Sequence, residues 1–268
     1  MSAIDTLFAK LRQENRKAFM PFVTAGDPDL DFTAAVIREL AARGSHLCEV
    51  GIPYSDPIAD GPVIQASYTR ALASGVRVDD ILRMLGNLSS EVSMPLVTMV
   101  SYAIVYRKTP ATYVRQAAEA GVAGLIVPDL PVEEAEELAA VCHEADVSLI
   151  QLVTPTTPHE RAVRIAKQAT GFIYYVSVAG TTGERNELPP DLLDSVAALR
   201  RETDLPICIG FGISKPEHIR RLAPVADGFI VGSAIVRRIA ENAGRSRDEA
   251  IAAVGKFVGE LVAATEAC

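Results

Sequence analysis

A chain of 268 residues, 49% hydrophobic and 22% charged, has the balance of an ordinary globular protein and the length to bury a core without disulfides or metals. Its formal net charge of −8 and its lack of Trp argue against non-specific nucleic-acid binding, which needs cationic surface and stacking rings. The chain does not open on a basic-then-apolar leader and holds no apolar stretch of membrane-spanning length, so the expectation is a cytoplasmic protein with neither nucleic acid nor membrane as partner.

Short apolar, β-branched runs recur in chain order at 18–23, 47–50, 96–99, 124–127, 148–152, 172–176, 207–209 and 228–231. Each is followed by a turn signal and a helical pattern, at 32–42, 78–88, 111–120, 132–144, 158–168, 190–201, 216–222 and 233–241. Asp79 and Asp80 suit a helix start, and Gly121 suits a helix end. Two further helical stretches, 4–15 and 248–264, flank the repeats. Eight strand–helix units with near-continuous apolar strands predict an α/β fold, a (β/α)8 TIM barrel forming a single domain over 1–268 with an extra N-terminal and an extra C-terminal helix. A doubly wound open sheet is the alternative.

A barrel directs attention to strand ends and the loops after them. Glu49 stands at the end of the second apolar run. Strand alternation sets it on the face of Leu47, opposite Cys48 and Val50, and so into the barrel mouth. A buried carboxylate responds by raising its pKa, which suits it to give and take a proton near neutrality. The competing reading is a Glu satisfied by a buried Arg or Lys. The loop that follows is stiffened by Pro53, Pro57 and Pro62 and carries Asp56 and Asp60. For Asp56 a turn-forming role is equally compatible. The four His (46, 143, 159 and 218) and four Cys (48, 142, 208 and 268) have no ligand spacing, so no metal site is expected, and His46 reads as capping a strand start.

Gly210-Phe211-Gly212-Ile213-Ser214 and Gly232-Ser233-Ala234 each follow a strand and open a helix, as in phosphate-binding barrels. Gly180-Thr181-Thr182-Gly183 could close a third side. Phe22, Tyr102, Asp129 and Tyr174 are further pocket candidates, with packing favoured for Phe22 and helix capping open for Asp129.

The run Glu49-Val50-Gly51-Ile52-Pro53-Tyr54-Ser55-Asp56-Pro57-Ile58-Ala59-Asp60-Gly61-Pro62-Val63-Ile64-Gln65 resembles the signature of the tryptophan synthase alpha chain family. The resemblance extends to Phe22-Val23-Thr24-Ala25-Gly26-Asp27-Pro28, Val127-Pro128-Asp129-Leu130-Pro131, Gly210-Phe211-Gly212-Ile213 and Val231-Gly232-Ser233-Ala234-Ile235-Val236, in family order. It implies a lyase that cleaves indole-3-glycerol phosphate to indole and glyceraldehyde 3-phosphate, without metal or cofactor. It implies catalysis by Glu49 and Asp60 with support from Tyr174, and phosphate binding by Gly183, Gly212, Gly232 and Ser233. Phe22, Ile64, Met99, Ile126 and Phe211 would line the indole pocket. The loop 179–189 would close over substrate, with Thr182 contacting Asp60. The implied partner is a pyridoxal-phosphate beta chain in an alpha2beta2 heterotetramer. One stretch departs from the family: Ser101-Tyr102-Ala103-Ile104-Val105 stands where a Tyr-Tyr-Asn-Pro-like run is usual. Another phosphate-binding barrel enzyme, such as a sugar-phosphate isomerase or epimerase, a weakly active subunit that activates a beta chain, and a standalone indole-releasing lyase are the alternatives.

Overall fold

The apolar runs form eight strands: β1 (Ala18–Thr24), β2 (Cys48–Gly51), β3 (Leu96–Met99), β4 (Val122–Ile126), β5 (Ser148–Val153), β6 (Ile173–Val176), β7 (Ile207–Gly210) and β8 (Gly228–Val231). The structure is a computed structural model that describes residues 2–58, 60–176, 192–210 and 212–268. The strands pair in parallel in sequence order, and β8 returns to β1, so the sheet closes into the predicted barrel. The open sheet is thereby excluded.

Twelve α-helices surround it among the described residues: α1 (Ala3–Gln13), α2 (Leu30–Ala42), α3 (Pro62–Ala73), α4 (Val78–Ser89), α5 (Tyr102–Lys108), α6 (Pro110–Glu119), α7 (Glu136–Glu144), α8 (His159–Gln168), α9 (Leu192–Arg200), α10 (Pro216–Leu222), α11 (Ser233–Glu241) and α12 (Arg247–Glu266). Pro62, Pro110 and Pro216 each take the first helical position, where a missing N–H costs nothing. Two helices depart from the sequence reading. α3 occupies part of what reads as the loop after β2, and α5 follows β3 directly. The predicted helix 132–144 is also broken, a 3-10 turn at Val132–Glu134 preceding α7.

Burial divides into two layers. Cys48, Val50 and Leu125 point outward into the layer between strands and helices. Leu47, Val97, Ile126, Ile150 and Ile230 point inward and fill the barrel. Ile4, Phe8 and Leu11 of α1 join this inner cluster, so the extra N-terminal helix plugs the base of the barrel. Ser2 holds α1 in place with a capping box to Asp5, and its hydroxyl accepts from Ser148 at 3.0 Å. The extra C-terminal helix α12 packs on α2, α10 and α11.

His46 ties β1 to the start of β2. The Phe19 N–H donates to its Nδ1 at 3.1 Å, which requires a neutral ring. Burial, then the nearby Arg16, lower its pKa, against smaller opposing effects of Glu266 and Glu14. A histidine held neutral adds stability above its unfolded pKa that is lost as pH falls below it. The Gln variant of His46 keeps an acceptor and does not titrate. Its urea midpoint is expected to fall less than that of the parent between pH 7 and pH 5.5, and equal losses would refute this role.

Candidate active site

The inward face of β2 carries one polar side chain where its neighbours are apolar. Glu49 pairs in register with Phe22 on one side and Val97 on the other. It is 1% exposed, and neither carboxylate oxygen has a hydrogen-bond partner among the described residues. The competing reading, a Glu satisfied by a buried Arg or Lys, finds no such partner there. Burial, reinforced by the charge of Asp60, pushes the Glu49 pKa up to about 8.

Asp60 lies on the loop between β2 and α3 and is partly buried. Burial pushes its pKa up to about 6. The two carboxylates therefore fall on opposite sides of neutrality, Glu49 protonated and Asp60 ionised at pH 7. Asp56 differs from both: it is exposed, and its carboxylate accepts from the neighbouring Ser55 hydroxyl at 2.7 Å. That is turn structure.

Tyr174 on β6 is buried, and burial with the charges of Glu49 and Asp60 holds its pKa well above the usual phenol value. Its hydroxyl stands against Gly210, where an added Cβ would lie 2.5 Å from it. Gly51 makes room in the same way for the Phe22 ring, 2.5 Å from where a Cβ would be. Phe22 and Ile64 gather with Tyr68 and Val236 into one apolar cluster, with Met99 packed against it. Ile126 pairs in register with Met99. These side chains set an apolar cluster beside Glu49, whose register partner is Phe22.

After β7, Gly212 adopts φ +81°, which a side chain would strain. Gly232 caps α11, its carbonyl accepting from the Ile235 and Val236 N–H groups. Ser233 and Ala234 stand in the first turn of α11, before the first N–H that bonds back to Gly232, so their N–H groups have no intrahelical acceptor. The predicted Gly183, Thr182 and Phe211, and the loop 179–189, lie outside the described residues. Among the described residues no group of three His, Cys, Asp or Glu is placed to hold a metal.

Asp129 lies at the rim, where its charge, like that of Asp60, bears on Tyr54. It is exposed on the rim, and its carboxylate accepts from the Ser101 hydroxyl at 2.7 Å and the Tyr102 N–H at 2.8 Å. It caps α5, in the loop before it, and not the helix after it as the sequence allowed. The sequence reading assigned no role to Asp27, Gln65 or Arg70. Asp27 is buried and receives both Arg70 Nε (2.8 Å) and Nη2 (2.7 Å). Pro62 after Gly61, with Ile64, Tyr68 and Ala71 at helical spacing, was the signal for the helix that carries Gln65 and Arg70.

The model of the tryptophan synthase alpha chain family matches residues 8–266. The chain belongs to that family. The tryptophan synthase alpha chain of Rhodopirellula baltica is 58% identical over 244 residues, 90% of this chain and 88% of its own. That of Opitutus terrae is 42% identical and covers 99% of this chain and 100% of its own. Among solved structures, the tryptophan synthase subunit alpha from Legionella pneumophila superposes with a TM-score of 0.91 at 34% identity, all of both chains being covered. The tryptophan synthase complex from Pyrococcus furiosus matches with a TM-score of 0.85 at 35% identity, over 92% of this chain and 99% of that one. The family cleaves indole-3-glycerol phosphate to indole and glyceraldehyde 3-phosphate, and this member is a lyase of tryptophan biosynthesis.

Proposed function

We propose that Glu49 and Asp60 carry this cleavage, and the observation that carries the reading is the buried Glu49 carboxylate, without a hydrogen-bond partner among the described residues, beside a second carboxylate of lower pKa. The reaction is a retro-aldol cleavage in two proton steps. Protonated Glu49 gives its proton to indole C3, and the ring electrons leave positive charge on the indole nitrogen. Ionised Asp60 accepts a hydrogen bond from that N–H and stabilises the charge. Glu49, now a carboxylate, takes the proton of the glycerol hydroxyl next to C3. The C–O bond becomes a carbonyl, the C–C bond breaks, and its electrons restore the indole ring. Glu49 ends protonated, ready for the next turnover.

The indolium nitrogen is itself the electron sink, so this chain needs no cofactor. Pyridoxal phosphate belongs to the beta chain that receives the indole. Gly212, Gly232 and Ser233 bind the phosphate, with Gly183 completing the site. Phe22, Ile64, Met99, Ile126 and Phe211 hold the ring, Tyr174 supports Glu49, and Thr182 contacts Asp60. The chain works as one barrel domain in the cytoplasm, in an alpha2beta2 heterotetramer. No helix among the described residues is long and apolar enough to cross a membrane. Ile58 on the loop after β2 and Tyr106 on α5, 86% and 70% exposed, give an apolar rim suited to a protein partner.

Indole release should follow a bell in pH. The rate falls below about 6 as Asp60 gains a proton and above about 8 as Glu49 loses one. The profile of kcat/KM, taken with and without a beta chain, checks this. A profile flat from pH 5 to pH 9 would remove both carboxylates from the mechanism. A rate unaffected by the beta chain would favour the standalone lyase.

A further inference from the structure

The two ends of the segment from Pro57 to Asp60 are tied together, the Asp60 N–H donating to the Pro57 carbonyl at 3.1 Å. Gln65, one turn into α3, grips both ends of it. Its Nε2 donates to the Asp60 carbonyl at 2.7 Å and to the Pro57 carbonyl at 3.1 Å. Both partners are acceptors, so the atom facing them must be the amide nitrogen, which has two hydrogens to give. The turn gains no hold through apolar packing at Ile58, which is 86% exposed.

A grip positions only if its base is fixed, and α3 is fixed to β1. The Ser67 and Thr24 hydroxyls share a buried hydrogen bond of 2.6 Å. Arg70 chelates the buried Asp27 with two hydrogen bonds. Thr24 ends β1, whose Phe22 pairs in register with Glu49. A continuous set of short contacts therefore runs from the strand beside Glu49, through α3, to the backbone of Asp60. The hydrogen bonds and the ion pair have defined geometry, so the base of the grip is fixed.

We propose that Gln65 is a positioning residue for Asp60, its amide fixing the turn so that the Asp60 carboxylate meets the indole N–H. The proposal rests on the reading of Asp60 given above. Gln65 touches no reacting atom and acts through Asp60. Displacing a charge-stabilising carboxylate by about an ångström lowers a rate on the order of a hundredfold, while binding through the distant phosphate is unaffected.

A double-mutant cycle tests it, with steady-state indole release from indole-3-glycerol phosphate as the readout. Gln65→Met keeps the length of the side chain and removes the donor. The expected result is a fall in kcat of about thirtyfold with KM changed less than about threefold, and no further loss when Gln65→Met is added to Asp60→Asn. Gln65→Glu, of the same shape but unable to donate when ionised, should behave alike, and thermal unfolding of each variant separates positioning from loss of fold. Wild-type kcat in both Gln65 variants overturns the proposal. So does an equal fall with and without the Asp60 carboxylate, because Gln65 would then act independently. Wild-type activity in Asp60→Asn alone refutes the reading of Asp60, a result visible whatever Gln65 does.

Discussion

The Glu49→Gln enzyme is expected to release indole at least about a hundredfold more slowly than the parent, and to gain stability on it as the pH rises. Both effects have one cause. The activity falls because an amide neither delivers a proton to indole C3 nor accepts one from the glycerol hydroxyl. The stability gain follows from the pKa. Burial raises it from 4.5 to about 8 in the folded chain. The folded state therefore favours the protonated acid, a contribution fully present below pH 4.5 and lost as pH rises through about 8. At pH 9 the buried charge costs on the order of 5 kcal/mol, a cost the amide does not carry. The amide leaves its own buried polar atoms to satisfy, so the level of stability is less informative than its slope with pH. Urea midpoints at pH 5 and pH 9 measure that slope. A gap between variant and parent that does not widen with pH would mean that Glu49 is not the strained acid described above.

Arg70→Met is expected to destabilise the fold by about 3 kcal/mol. Asp27 is 3% exposed, and both its oxygens are bonded to the guanidinium. Removing the cation leaves a buried carboxylate with its charge uncompensated. The apolar stem of Met still covers the ground of the Arg stem, so lost packing contributes little. Adding Asp27→Asn to Arg70→Met removes the stranded charge and should recover part of the loss. Chemical denaturation of the two single variants and the double variant checks this. Additive losses would show that the pair does not act as a unit.

The sequence carried the barrel because each strand was a short apolar run closed by turn residues. Glu49 was legible for the same reason, as a carboxylate interrupting such a run. The glycines proposed to bind phosphate were read from their position after strands, which the structure places after β7 and β8. α3 was not read, although its start signal was present, because the proline-rich stretch before it favours a loop and its exposed face is polar. α5 is a different case. Its seven residues carry little local preference, and its Ser101 cap is reinforced by Asp129, across the barrel rim. The Asp27–Arg70 pair joins residues 43 positions apart, which no local pattern encodes. What escaped was thus what depends on one loop touching another.

The α1 plug makes the barrel a cup and not a tube. Ile4, Phe8 and Leu11 fill its lower end, so the base is closed to traffic. An oily product such as indole cannot seep out beneath the reaction. Whatever sits on the rim decides whether it escapes to solvent or is handed on.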